Sequence, residues 1–179
     1  QAEDPQSFQL FLEEKKRKLN EILPDLKDIE KLGTTRRSAS VYQGLKGLQT
    51  AYNDVLVSHK PGEEYYFLQI ETKFTTDEKI KLFFRNYHLK REEKGIKVKG
   101  LASIETKEFV GNVFKGMKNV TVRFYEEFMP TGLVIYKNKL MTLDFSGIPT
   151  AFVIESDSIA NAYRQFFEQK WKESYLVKK

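Results

Sequence analysis

Six apolar residues in the first thirty, Phe8, Leu12, Leu19, Ile22, Leu26 and Ile29, lie on one narrow seam. With Lys15 filling the gap the steps alternate four and three, the heptad spacing that winds two helices around each other. The positions between are mostly charged: Glu13, Glu14, Lys16, Arg17, Lys18, Glu21, Asp25, Lys27 and Asp28. A stripe this thin is poorly suited to a sheet face but matches a copy of itself. The spacing predicts a helix from Asp4 to about Leu32 that dimerises as a coiled coil, bent near Glu21 where Pro24 removes one backbone hydrogen bond. Residues 1–33 are expected to form this linker and dimerisation segment.

From residue 37 onwards the pattern changes. Ser38–Tyr42 reads as a strand. Leu45, Leu48, Tyr52, Val55 and Leu56 then fall on one helical face. Glu64–Ile70 is a nearly continuous aromatic and apolar run, as in a strand covered on both sides. Thr75-Thr76-Asp77-Glu78 opens a helix that reaches Lys94 and stops at Gly95. Strand, helix and strand follow over 96–101, 106–117 and 120–125. Three short strands, 133–136, 140–145 and 150–154, come next, the first two joined by the tight loop Lys137-Asn138-Lys139. Ser156-Asp157-Ser158 caps a last helix carrying Ile159, Ala160, Tyr163, Phe166, Phe167 and Trp171. This alternation predicts a single α/β domain over 37–179, with a mixed, mainly parallel sheet and helices on both faces.

Several functions are made improbable by composition. The 179 residues include no cysteine, so there is no disulfide framework, thiolate nucleophile or cysteine-bound zinc. No signal-like segment or long apolar run appears, and the chain reads as soluble and cytoplasmic, away from membranes. The net charge is +5, yet residues 1–33 hold six basic against eight acidic side chains, leaving the body at +7. Lys79, Lys81, Arg85, Lys90, Arg91, Lys94, Lys97 and Lys99 form a basic run. It reads first as the solvated face of a helix, and alternatively as a surface for nucleic acid or protein.

No catalytic motif is convincing. There is no dinucleotide or P-loop glycine pattern and no H-E-x-x-H. His88-Leu89-Lys90 copies half of the H-x-K-x4-D signature of phospholipase D enzymes, but Gly95 stands where the Asp belongs, and His88 falls mid-helix. His88 is therefore expected at the helix surface or partly packed, and the chain is not expected to be an enzyme or to hold a metal or cofactor. Ligands of open α/β sheets bind beyond the carboxyl ends of parallel strands. Those ends carry Gln69, Glu71 and Lys73, then Ser103 and Glu105, then Arg123 and Tyr125. Of these, Gln69, Glu71, Ser103, Glu105, Arg123 and Tyr125 are the candidate site for a small polar molecule.

The order of motifs resembles one family. Val41-Tyr42-Gln43-Gly44-Leu45-Lys46-Gly47-Leu48, Phe84-Arg85-Asn86-Tyr87 and Glu93 to Val98 are similar to the effector domain of TrmB-like transcriptional regulators. So is Ala151-Phe152-Val153-Ile154 with Ser158-Ile159-Ala160, Tyr163, Phe166-Phe167 and Trp171. Ile22-Leu23-Pro24-Asp25-Leu26 resembles that family's linker helix. The resemblance implies a phospholipase D-like fold without the catalytic signature, a homodimer, and a small-molecule effector. It also implies that DNA is read by a winged-helix domain which these residues do not include. The family's β-rich C-terminal subdomain is likewise missing, which counts against a sugar effector. The alternative expectation is a stand-alone dimeric module that binds protein or nucleic acid through the basic helix.

Overall fold

The computed structural model describes residues 5–33, 37–68, 77–126 and 131–174. Two compact units are found, residues 1–37 and residues 38–179. In the first, α1 (Pro5–Gly33) is one helix of 29 residues that runs through Pro24. Its charged positions pair along the surface, Arg17 with Glu21 at 3.0 Å and Lys18 with Glu14 at 2.7 Å. Such exposed i,i+4 pairs contribute only a few tenths of a kcal/mol. On the seam, Leu12, Leu19 and Ile22 are 53%, 51% and 52% exposed. The side chains of Phe8, Leu26 and Ile29 lie outside the described residues.

The second unit runs β1 (Ser38–Gln43), α2 (Gly44–Ser58), β2 (Glu64–Leu68), α3 (Glu78–Glu93), β3 (Lys97–Ser103), α4 (Lys107–Val113), β4 (Val120–Tyr125), β5 (Gly132–Tyr136), β6 (Lys139–Asp144), β7 (Thr150–Glu155) and α5 (Asp157–Glu173). The strands form a seven-stranded sheet in the order β1-β7-β6-β5-β2-β3-β4. Only β2–β3 and β3–β4 are parallel; the four pairings from β1 through β7, β6 and β5 to β2 are antiparallel.

The expectation of a mainly parallel sheet is thus corrected. Strand-helix-strand alternation makes parallel neighbours only where the crossover returns to the adjacent place. The connections through α3 and α4 do so. The connection through α2 does not, because β1 lies at the far edge against β7, and the β5–β6–β7 meander fills the space between β1 and β2.

Local chemistry sets the boundaries. The Asp77 carboxylate accepts from the backbone N–H of Lys79 at 2.8 Å and of Ile80 at 3.3 Å, capping α3. Gly95, at φ +67°, ends that helix in a left-handed conformation. The helix expected over 106–117 is shorter, a 3-10 turn at Ile104–Thr106 followed by α4. Both sheet faces are covered. Leu48, Tyr52 and Val55 of α2, Ile80, Phe84 and Tyr87 of α3, and Phe109 and Val113 of α4 share one core with Phe67, Val98, Phe124 and Met141 of the sheet. On the other face Phe167 of α5 packs among Leu68, Leu101, Ile135 and Leu140.

Candidate functional site

The carboxyl ends of the parallel strands do not bring all the candidate residues into one pocket. Gln69, Glu71 and Lys73 fall outside the described residues. Ser103 and Tyr125 are register partners, and Arg123 lies two residues before Tyr125 on the same face of β4. That face is the one α5 covers. Ser103 Oγ accepts from the Glu105 N–H at 3.4 Å and so caps the 3-10 turn. The turn carries Glu105 into a shallow groove between α3 and α4, beside Glu78, Lys81, Arg85, Glu108 and Asn112.

Arg123 is already engaged. Its guanidinium lies 4.6 Å from the centre of the Trp171 ring and donates to the Trp171 carbonyl at 2.7 Å. A cation stacked on an aromatic and bonded to a carbonyl of the last helical turn is favourable on both counts. Arg123 therefore clasps the end of α5, although its buried Nε has no partner. Tyr125 packs into the same α5-side cluster.

On the opposite face, between the sheet and α2, α3 and α4, is a cavity of about 40 Å³ lined largely by aromatic rings, among them Tyr52, Tyr65, Phe67, Phe84 and Phe114, together with His88. Phe67 reaches over Gly100, where a Cβ would stand 1.9 Å from the ring. Glycine at 100 is thus the condition for this ring position. Two phenols meet beside the cavity, Tyr87 donating to Tyr65 at 3.1 Å, and burial raises the pKa of both well above the usual tyrosine value.

His88 is the correction on this face. Rather than lying at the helix surface or partly packed, it is 6% exposed, with its ring 4.4 Å from that of Phe114. Its Nδ1 accepts from Arg91 Nε at 3.3 Å. Burial first, then the Arg91 and Arg85 charges, hold its pKa well below the ordinary histidine value, so the ring is neutral. The cavity consequently carries no charge of its own. Its chemistry suits a small, uncharged, mainly apolar guest. Leu89 and Lys90 are both exposed, so His88 and Lys90 of the partial H-x-K motif do not face a common site.

The basic run is likewise taken apart. Arg91 is fully buried. Its guanidinium donates to the Ile96 carbonyl, to the Asn119 carbonyl at 2.8 Å and to Glu92 at 3.1 Å. Arg85 donates to the carbonyls of Val113 at 2.7 Å and Lys115 at 2.8 Å. Lys81 pairs with Glu78 and Lys99 with Glu64. The Arg85 and Arg91 bonds staple α3 to its neighbours, and with the Lys81 and Lys99 pairs they remove four members from any continuous ridge. Among the described residues no group of three or more His, Cys, Asp or Glu could hold a metal ion, and no helix is long and apolar enough to cross a membrane.

Comparison of the sequence with family models and with curated proteins gives no match. Solved structures are similar in fold. TrmBL2, an archaeal chromatin protein with a novel mode of DNA binding, matches over 95% of this chain and 68% of its own, with a TM-score of 0.52 and 14% identity. NucT from Helicobacter pylori matches over 79% of this chain and all of its own, with a TM-score of 0.57 and 10% identity. Nuc from Salmonella typhimurium, a phospholipase D family member, matches over 80% of this chain and all of its own, at 0.55 and 12%. The chain therefore has a phospholipase D-like α/β fold, shared with a TrmB-like protein.

Proposed function

We propose that this chain is the dimerising, effector-sensing region of a TrmB-like, non-enzymatic regulator that works in the cytoplasm. The observation that carries the reading is α1. It is a separate unit of 29 residues whose seam leaves Leu12, Leu19 and Ile22 half exposed at heptad spacing. Covering the exposed half of each side chain against a second copy gains half of the ~1.5–3 kcal/mol that full burial of a Leu or Ile brings. The likeness to the DNA-binding chromatin protein TrmBL2 supports a role on the genome. DNA is then read by a winged-helix domain outside these residues, and α1 carries the signal towards it. The aromatic cavity is the place for an effector, and its neutral lining favours an uncharged guest over the polar ligand expected at the strand ends. A guest shifts the dimer only as far as it binds one arrangement better than the other.

Native mass spectrometry tests both halves. The expected result is a dimer that Leu19→Asp converts to monomer, with an additional small mass retained by the folded protein. A wild-type monomer, or a Leu19→Asp protein that remains dimeric, refutes the seam. A phospholipase-like phosphodiesterase activity lost in His88→Ala would refute the non-enzymatic assignment.

A further inference from the structure

The positive charge of the α/β unit is not spread over it. Residues 37–68 carry three basic and three acidic side chains, and residues 131–174 carry five of each. Residues 77–126 carry twelve basic against seven acidic, a surplus of five. Within this stretch the engaged cations are Lys81, Arg85, Arg91, Lys99 and Arg123. Of the seven that remain, Lys79 and Lys107 stand at the starts of α3 and α4, and the other five, Lys90, Lys94, Lys97, Lys115 and Lys118, gather at the amino-terminal end of the parallel strands, the end opposite to Ser103 and Tyr125.

The loops there are tied into one rim by backbone bonds. Gly62 N–H donates to the Gly95 carbonyl at 2.8 Å, Lys97 N–H to Glu63 at 2.8 Å, and Val98 N–H to Asn119 at 3.1 Å. Lys60, Lys90, Lys94, Lys97, Lys115 and Lys118 all stand exposed on these loops and the adjoining end of α3. None has an ion pair with a carboxylate among the described residues, and Lys94 reaches only the Leu56 carbonyl, at 3.4 Å. Two of the rim's own carboxylates are already engaged. Glu92 accepts from the backbone N–H groups of Lys118 at 2.8 Å and Asn119 at 3.1 Å, and Glu63 accepts from Lys137 at 2.6 Å. Glu93 is the exposed exception. The α3 C-terminus favours a lysine or two by its dipole, but Lys60, Lys97, Lys115 and Lys118 lie beyond the helix.

We propose that this rim is a docking surface for the phosphate backbone of double-stranded nucleic acid. Lysines on separate, mutually fastened loops give several point charges held apart, which is what a regular row of phosphates requires. Single-stranded nucleic acid asks in addition for aromatic faces on which bases stack. The exposed aromatic residues among those described, Phe152, Tyr163 and Phe166, are on β7 and α5 instead. The lack of an exposed aromatic also separates the rim from a lipid-surface site, since Val57 and Leu89, the exposed apolar residues nearest to Lys60 and Lys90 in the chain, are two isolated aliphatic side chains and not an amphipathic face. Contacts of this kind read no sequence, so the rim adds affinity and orientation and leaves specificity elsewhere. This proposal rests on neither the α1 seam nor the cavity.

Fluorescence anisotropy of the full chain with a short mixed-sequence DNA duplex, between about 50 and 200 mM salt, tests it. The expected result is binding that weakens steeply with salt, with a log–log slope of about −4.5 to −5.5 for five or six phosphate contacts. Replacing Lys97→Glu and Lys118→Glu together weakens binding at least tenfold at the low-salt end and makes the slope shallower by about two. Lys46→Glu with Lys172→Glu, the same charge change at exposed sites off the rim, shifts binding less than twofold. Equal losses in the two double variants overturn the proposal, since net charge alone would then account for binding. So does the absence of binding at the lowest salt. Tighter binding to an oligo-dT strand, or to phosphatidylserine vesicles, than to the duplex also overturns it.

Discussion

Arg91→Met removes a cation that is completely enclosed, and its effect follows from the partners left behind. The substitution keeps most of the unbranched stem volume, so packing changes little. It deletes donors to the Ile96 and Asn119 carbonyls, to Glu92 and to His88 Nδ1. Breaking a buried charged pair by removing one partner destabilises by about 3–5 kcal/mol. Glu92 keeps the Lys118 and Asn119 N–H groups and is partly exposed, and Asn119 O still accepts from Val98 N–H. The lower half of that range, about 3–4 kcal/mol, is therefore expected. For a domain of this size that corresponds to a fall in Tm of about 6–16 °C. Urea unfolding followed by tryptophan fluorescence measures it, because Trp171 is the sole tryptophan and is packed in the α5-side cluster. A loss under about 1 kcal/mol would refute the reasoning, because an ordinary surface arginine gives no more. Arg91→Lys, which keeps the charge but not the fork, should fall between the two.

Acid should weaken the fold through His88. Its folded pKa lies well below the unfolded 6.5, so in the window beneath 6.5 the unfolded chain binds the extra proton. Stability is thus complete above pH 6.5 and declines as pH falls, by about 1.4 kcal/mol for each pH unit until the folded pKa is reached. Unfolding curves at a series of pH values check this, and a His88→Phe protein that keeps the same slope would refute it. Gly100→Ala forces the Phe67 ring off its present position; stability should drop by about 1–3 kcal/mol. Any apolar guest found in the wild-type cavity, tested by xenon or benzene binding, should bind that variant less well if the ring swings inwards.

The helices and strands were largely legible in the sequence because their signals are local. Asp77 before Glu78, Gly95 after a basic turn and the Lys137-Asn138 loop each act on their immediate neighbours. Even Arg91 carried a signal, since it continues the Ile80, Phe84, Tyr87 face at helical spacing and so had to point inwards with them. Its charge masked this, and the same charge made the α3 ridge look continuous. Strand order was less legible, because alternation specifies that a crossover exists but not where it lands. The cavity was illegible. Its rings come from several separate elements, and nothing at Tyr52 or Phe114 taken alone marks one as facing the other's void. Half of the lysine rim, Lys90, Lys94 and Lys97, was legible in the basic run, but Lys60, Lys115 and Lys118 join it only through the fold, by the Gly62–Gly95 and Val98–Asn119 bonds.

The place of β1 against β7 has a consequence in time. Among the described residues, 38–43 find their one strand neighbour in 150–155, more than a hundred positions later. On the ribosome the first strand of the sheet therefore emerges long before its ladder can exist. The parallel unit of β2, β3 and β4 can assemble while β1 waits, and the sheet is closed at that edge only once the β5–β6–β7 meander has been made. Distant pairings of this kind slow folding, because the chain between must be ordered before they form. During that interval Ser-Ala-Ser-Val-Tyr-Gln is an uncharged strand with both rows of backbone groups unmatched, the form in which a nascent chain most readily joins another copy. Production of this protein should accordingly be governed more by how quickly the last third of the chain follows the first than by the stability of the finished fold.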